Sequence, residues 1–306
     1  MRFLFHPRPG RRSGGVLLLL SAAVLLLTGT AGRAAATDPY VGGQAATNVS
    51  AVPDGEAAVQ IERAVQTGRR LGLPQPARRT VERVEDRRGQ ATFDEVTEID
   101  AQGQATALLR YAPDGGLLAA VHLGWQPDRG KAVSAEADAV RLALAVARSA
   151  GFEPAGQAVP PSRGANGWSV GWDRVVDGVP VPGDGIRVQL QADGSFHGFT
   201  RAEHPLAPAP DAVLAAEIAQ EAVGRLLDRW IPAASRGDVR IDGVALAWVA
   251  PNDTFEPSLP DAPADVRRLA WVVRVRSTGA FADVLRGLEV AIDAGDGSLL
   301  GGDVLR

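Results

Sequence analysis

Apolar residues recur at helical spacing in three places along the chain, and each place is followed by runs in which apolar and polar positions alternate. Over Gly55–Leu71 the set Ala58, Ile61, Val65 and Gly68 returns every three or four residues, which predicts a helix entered through Asp54 as its cap. A second helix is expected after Ser134, gathering Ala139, Leu142, Ala143, Val146 and Ala150. A third is expected from Asp211, just past Pro210, with Leu214, Ile218, Ala222 and Leu226 on one side and Trp230 at its end. The three starts are nearly evenly spaced, which predicts a repeated unit.

Strand-like alternation comes after each helix. The first unit offers Thr80–Val84, Ala91–Ile99, Thr106–Tyr111 and Leu117–Leu123; the second Trp168–Val176, Gly185–Leu190 and Ser195–Arg201; the third Val239–Val249, Leu269–Ser277 and Val284–Ile292. Strands gathered in runs after a helix imply an α+β fold, with tandem units that each pack one helix on an antiparallel sheet. The expected division is 54–130, 131–207 and 208–306. Linkers are expected at the Pro-rich stretches Glu153–Asn166 and Pro205–Pro210, with a long loop at Pro251–Asp265.

The densest turn chemistry lies in Gly167–Gly198, where Asp177-Gly178, Asp184-Gly185 and Asp193-Gly194 each predict a tight hairpin turn. The same stretch holds Gly167-Trp168-Ser169-Val170-Gly171, the pattern of a nucleophile elbow, which needs a sharp strand-to-helix turn after the serine. Beyond Ser169 the chain has a β-branched run, an Asp-Gly turn and Pro180, so a strand continues and a hydrolase centred on Ser169 is a remote alternative. His122, His197 and His204 lack the short spacing that puts two imidazoles on one metal, and His122 reads as the solvent side of a strand. Asp293-Ala-Gly-Asp-Gly297 reads as a hairpin turn rather than a calcium loop. No cofactor motif is present, and the reading is non-enzymatic.

The N-terminal layout predicts export from the cytoplasm. Basic residues Arg2, Arg8, Arg11 and Arg12, an apolar run from Val16 to Leu27 and small residues ending in Ala34-Ala35-Ala36 form the layout of a secretory signal peptide over 1–36, with an uncleaved membrane anchor as the alternative. Residues 37–53 are polar and aperiodic and read as disordered. Against 36 acidic residues the chain has 32 basic ones, several of them lost with the signal, so nucleic acid is an unsuitable partner. Cysteine is absent, and the fold must rest on core burial.

Two stretches carry a family resemblance. Val244-Ala-Leu-Ala-Trp-Val-Ala-Pro251, Leu269-Ala-Trp-Val-Val-Arg-Val275 and Val290-Ala-Ile-Asp-Ala-Gly-Asp-Gly-Ser-Leu-Leu300, behind an alanine-rich helix, resemble a PepSY domain. Trp172-Asp-Arg-Val-Val-Asp-Gly-Val-Pro-Val-Pro-Gly-Asp-Gly-Ile186 is similar to the propeptide module of thermolysin-like metallopeptidases and to the YcdB/YcdC type of repeat. The resemblance implies a secreted, non-catalytic protein that binds an extracellular protein or peptide, a peptidase among the expected partners. Contacts are expected at Trp172, Arg174, Pro182 and Asp184, together with Trp125, which stands beside Gln126-Pro127 at a strand end. The alternative is an envelope module that binds a small ligand or cell-wall glycan on exposed tryptophans. Edge-strand addition of an extended peptide is the expected mode of partner binding.

Overall fold

The computed structural model describes residues 48–85, 92–124, 132–164, 167–255, 266–283 and 285–305; the expected signal peptide lies outside the described residues, as does all but the end of the segment read as disordered. Among the described residues three α-helices, α1 (Asp54–Leu71), α2 (Glu136–Ser149) and α3 (Ala216–Trp230), alternate with groups of antiparallel strands, and the fold is α+β. The strands are β1 (Asn48–Ala51), β2 (Arg78–Glu85), β3 (Thr92–Ile99), β4 (Ala105–Tyr111), β5 (Leu117–His122), β6 (Gln157–Gly164), β7 (Gly167–Val176), β8 (Val179–Gln191), β9 (Phe196–Ala202), β10 (Val239–Val249), β11 (Arg268–Ser277), β12 (Gly287–Asp293) and β13 (Leu299–Leu305).

The three expected helix-sheet units are drawn differently in the structure. Strands of the first two join one nine-stranded sheet in the order β1-β2-β3-β4-β5-β9-β8-β7-β6, while β10-β11-β12-β13 form a second sheet. The joint within the large sheet is the antiparallel pairing of Ala119, Ala120 and Val121 with Thr200, Phe199 and Gly198. The described residues fall into two compact units. One holds those up to Pro154 with Pro160–Gly171 and Arg187–Arg201; the other holds Ala155–Val159, Trp172–Ile186 and Ala202 onward. Glu153–Asn166, expected as a linker, contains β6, where Pro160 and Pro161 are tolerated because the strand is outermost in its sheet.

Within the first unit α1 starts at Asp54, which is the first helical residue rather than the cap, and Asp54 and Glu56 place negative charge at the helix N-terminus. It stops at Gly72, whose φ of 71° lets the chain turn while its N–H and that of Leu73 satisfy the carbonyls of Arg69 and Gly68. The buried side of α1 is Gln60, Ala64, Thr67, Gly68 and Leu71, and Ala58 is exposed. Two polar side chains in that line meet a polar sheet. Gln60 donates to the buried Asp94 at 2.7 Å, Arg83 holds the other oxygen of Asp94 at 2.9 Å, and Arg79 holds the fully buried Glu98 at 2.9 Å. Helix α2 buries Ala139, Ala143 and Ala147. After it, Phe152 stacks on the fully buried Phe199 with ring centroids 5.2 Å apart.

In the second unit α3 begins five residues later than the periodicity predicts. Leu214 is held out of the helix, because its N–H donates to Ala294 and its carbonyl accepts the Trp271 indole at 2.9 Å. The buried side is accordingly Ala219, Val223 and Leu226, with Ile218 43% exposed. These pack on Val273 and Val275 of β11 and on Leu288, Val290 and Ile292 of β12, a wholly apolar contact. Trp230 stacks on Phe255 at 4.8 Å. A smaller cluster joins Val181 of β8 to Trp248, Leu269 and Ala294.

Candidate functional site

Two of the three Asp-Gly pairs behave as the sequence predicts. Asp177 and Gly178 both take positive φ, 51° and 81°, the requirement of a two-residue turn between β7 and β8. Asp193-Gly194 closes the turn to β9, with Asp193 accepting from the N–H and hydroxyl of Ser195. Asp293-Ala-Gly-Asp-Gly297 likewise forms the β12–β13 turn, Asp293 accepting from the N–H groups of Gly295 and Asp296. Asp184-Gly185 corrects the expectation: it lies inside β8, and no hairpin forms there. Gly183 and Gly185 flank the aspartate with φ of 88° and 97°, so the strand is locally distorted and Asp184 turns inward to complete burial. A side chain at Gly185 would stand 2.2 Å from the carbonyl oxygen of Trp172, which restricts the position to glycine.

Four side chains of the second unit gather around that carboxylate or its partners. The backbone N–H of His204 donates to Asp184 Oδ2 at 2.8 Å, and His204 Nδ1 lies 2.5 Å from Oδ1. Arg267 Nη2 stands 3.5 Å and Arg174 Nη1 3.8 Å from the same carboxylate. Arg174 donates to the carbonyl of His204 at 3.2 Å and comes within 3.6 Å of Glu203. Burial by itself would raise the Asp184 carboxyl. The hydrogen bonds from the side chain and backbone of His204, with the charges of His204 and Arg267, outweigh it and hold the group below the ordinary aspartate range. Asp184 is therefore ionised at neutral pH, so Nδ1 of His204 directs a hydrogen at it, and the His204 side chain is 37% exposed.

The local chain path explains the convergence. The segment Pro205–Ala207 lies parallel to the entry of β11, with the Arg267 N–H on the Pro205 carbonyl and the Ala207 N–H on the Arg267 carbonyl, both at 2.8 Å. That ladder sets His204 and Arg267 side by side.

Of the residues singled out in the sequence, Arg174 and Asp184 belong to this cluster. Pro182 is exposed in β8, two residues before Asp184, and Trp172 is partly buried on β7. Trp125 lies outside the described residues. Trp168 is buried, with its indole N–H on the carbonyl of Val133 at 2.9 Å, and so offers no exposed platform. Ser169 sits inside β7, which continues as a strand to Val176, so the elbow is not formed. Sequence reasoning does not find His204 or Arg267 as site residues, since the first lies at a linker and the second beside the long loop. The signal available was the glycine on each side of Asp184, a sign that its backbone is unusual. His122 is not on a solvent face: it is half-buried, and burial lowers its basicity below the ordinary histidine value.

Among the described residues no group of three or more His, Cys, Asp or Glu side chains is arranged to hold a metal ion, and no helix is long and apolar enough to cross a membrane. No protein-family model matches the chain, and no curated protein does. Among solved structures the chain is similar to the Bacillus megaterium YpeB C-terminal domain, at 15% identity and a TM-score of 0.49, over 84% of this chain and 99% of that one. A likeness at this level says nothing of a shared activity.

Proposed function

We propose that this chain is an exported, non-catalytic protein of PepSY-like build that binds a protein or peptide partner outside the cytoplasm, with a peptidase as the first partner class to test. The observation that carries the reading is β10. It is 11 residues long, it ends the four-stranded sheet, and among the described residues nothing pairs with its outer side. An extended peptide gains main-chain hydrogen bonds by lying along such an edge, which makes β10 a place for strand addition. Its middle carries the exposed Ala245 between the partly buried Val244 and Leu246, so a partner there meets a largely apolar strip.

Immobilised protein exposed to the proteins secreted alongside it is expected to retain a discrete partner. The Ala245→Lys variant, which puts a charge on the edge, is expected to retain much less while melting at the same temperature. Capture that is indifferent to Ala245→Lys overturns strand addition at β10; no capture, with no effect on any co-secreted peptidase, overturns the binding reading itself.

A further inference from the structure

The Asp184 cluster contains a conflict among its donors. His204 Nδ1 is 2.5 Å from Asp184 and 3.1 Å from Arg267 Nη2. It cannot donate to the carboxylate and accept from the guanidinium at once. With Asp184 ionised, the proton sits between His204 and Asp184, because the other tautomer would set two lone pairs against each other. Arg267 Nη2–H then points at a nitrogen that is already protonated, and its distance of 3.5 Å to Asp184 is too long for a strong charge-assisted hydrogen bond. Arg267 Nε is buried and has no acceptor among the described residues. A guanidinium left short of acceptors in a place this closed is unfavourable, since each buried unmet donor costs about 1–3 kcal/mol.

Around it, Arg174 is 28% exposed and uses Nη1 on a backbone carbonyl, and the His204 ring, 37% exposed, stands beside both guanidinium groups. Glu203 supplies the clue to what fits. At 3.6 Å from Arg174 and 49% exposed, it places one carboxylate of this chain at the rim.

We propose that the two guanidinium groups of Arg174 and Arg267, beside His204, form a carboxylate-binding site, and that it takes an acidic side chain or a C-terminal carboxylate of the bound partner. The inference rests on the partner-binding reading and adds the chemistry of one contact. Asp184 holds His204 and the two guanidinium groups in place from behind, and the incoming carboxylate meets the parts of that pair left open, 28% of the Arg174 side chain and 14% of that of Arg267. Glu203 competes for Arg174, so the free site is partly self-occupied.

The test uses the full chain, observed by NMR at the Arg Nε–H and His ring signals. The probes are acetyl-Ala-Ala-Ala with a free carboxylate, the same peptide as its amide, and acetyl-Ala-Glu-Ala-amide. The free tripeptide or the Glu peptide is expected to shift the Arg267 and His204 signals saturably, with a Kd on the order of 1–10 mM, as suits one or two charge-assisted contacts. Which of the two binds tells a C-terminus from a side chain. The Ala-only amide is expected to leave the signals in place. Glu203→Gln is expected to tighten binding severalfold and Arg174→Gln to weaken it at least as much, with the melting temperature of each variant measured alongside so that a lost contact is told from a lost fold. The proposal is overturned if neither carboxylate shifts these signals, if the amide shifts them equally, or if Glu203→Gln and Arg174→Gln act alike. A failed titration beside a successful capture removes this site and leaves the partner-binding reading standing.

Discussion

Helices α1 and α3 each cover an antiparallel sheet, yet buried charge sits under the first and not in the contact of the second. Under α3 the contact is dry and aliphatic, from Val223 and Leu226 to Val273, Val275, Val290 and Ile292. Under α1 buried polar groups stand among apolar ones such as Ala64, Leu71 and Val96: Gln60, Asp94, Arg83, Arg79 and Glu98 are bonded in two groups. An apolar contact loses stability in proportion to the atoms removed, whereas a buried ionic one loses it abruptly when one partner goes. Glu98 shows the strain in the second case. One of its oxygens is buried without a partner among the described residues, and burial raises its carboxyl above the usual glutamate range although Arg79 opposes the shift. Tyr111, 2% exposed beside Asp94, is pushed up to about 12, chiefly by burial.

The contrast breaks most sharply at Arg79. Arg79→Ala strands the Glu98 carboxylate and is expected to lower stability by about 3–5 kcal/mol in chemical denaturation, while adding Glu98→Leu is expected to restore much of it. Restoration would show that the polar layer is replaceable; a double variant as unstable as the single one would show that it is not. Under α3, Val223→Ala is expected to cost about 2 kcal/mol, with no second change able to rescue it except one that refills the space.

A smaller effect comes from pH. His122 and His197 extend the register of the β5–β9 joint and so face each other across it; burial, the larger cause, lowers the basicity of both, and His122 Nε2 and His197 Nδ1 are buried without partners among the described residues. On this face β4 presents Ala107 opposite His122, and the next strand presents Glu98. Because the folded form binds these protons less readily than the unfolded chain, stability is full above the ordinary histidine value of 6.5 and is lost as pH falls below it toward the lowered native values. Melting curves at pH 7.5 and pH 5 are expected to converge in the His122→Gln, His197→Gln double variant. Burial of Glu98 acts in the opposite sense, so the effect is expected to be larger in the Arg79→Ala, Glu98→Leu background. The smallest change is expected from Arg148→Ala, which removes a fully exposed pair with Glu153 and should leave the melting temperature unchanged.

Much of this architecture could be read from the chain, and the misses share a cause. Periodicity found all three helices, but it assigned α1 its apolar side and α3 an early start. Gln60 faces inward because Asp94 waits on the sheet, and Leu214 stays extended because Ala294 and Trp271 claim its backbone. Both are partners remote in sequence, beyond the reach of any local pattern. The same holds for the Asp184 cluster, where Arg174 and Asp184 lie within one hairpin while His204 and Arg267 arrive from elsewhere. Asp-Gly marked a special backbone correctly in all three pairs and identified a turn in only two, since glycine at positive φ serves a distorted strand as well as a hairpin.

The joint between β5 and β9 has a consequence for how the chain acquires its structure. Strands β1 to β5 pair with close neighbours and can zip up as a meander while the rest of the polypeptide is still unorganised. β5, however, waits for residues 198–200, and until they arrive it presents an open row of amide and carbonyl groups along a largely apolar strand. An edge left open in this way is the kind of surface on which two partly formed copies join edge to edge. Completion of β9 seals it, so the middle of the chain acts as the closing piece for its beginning.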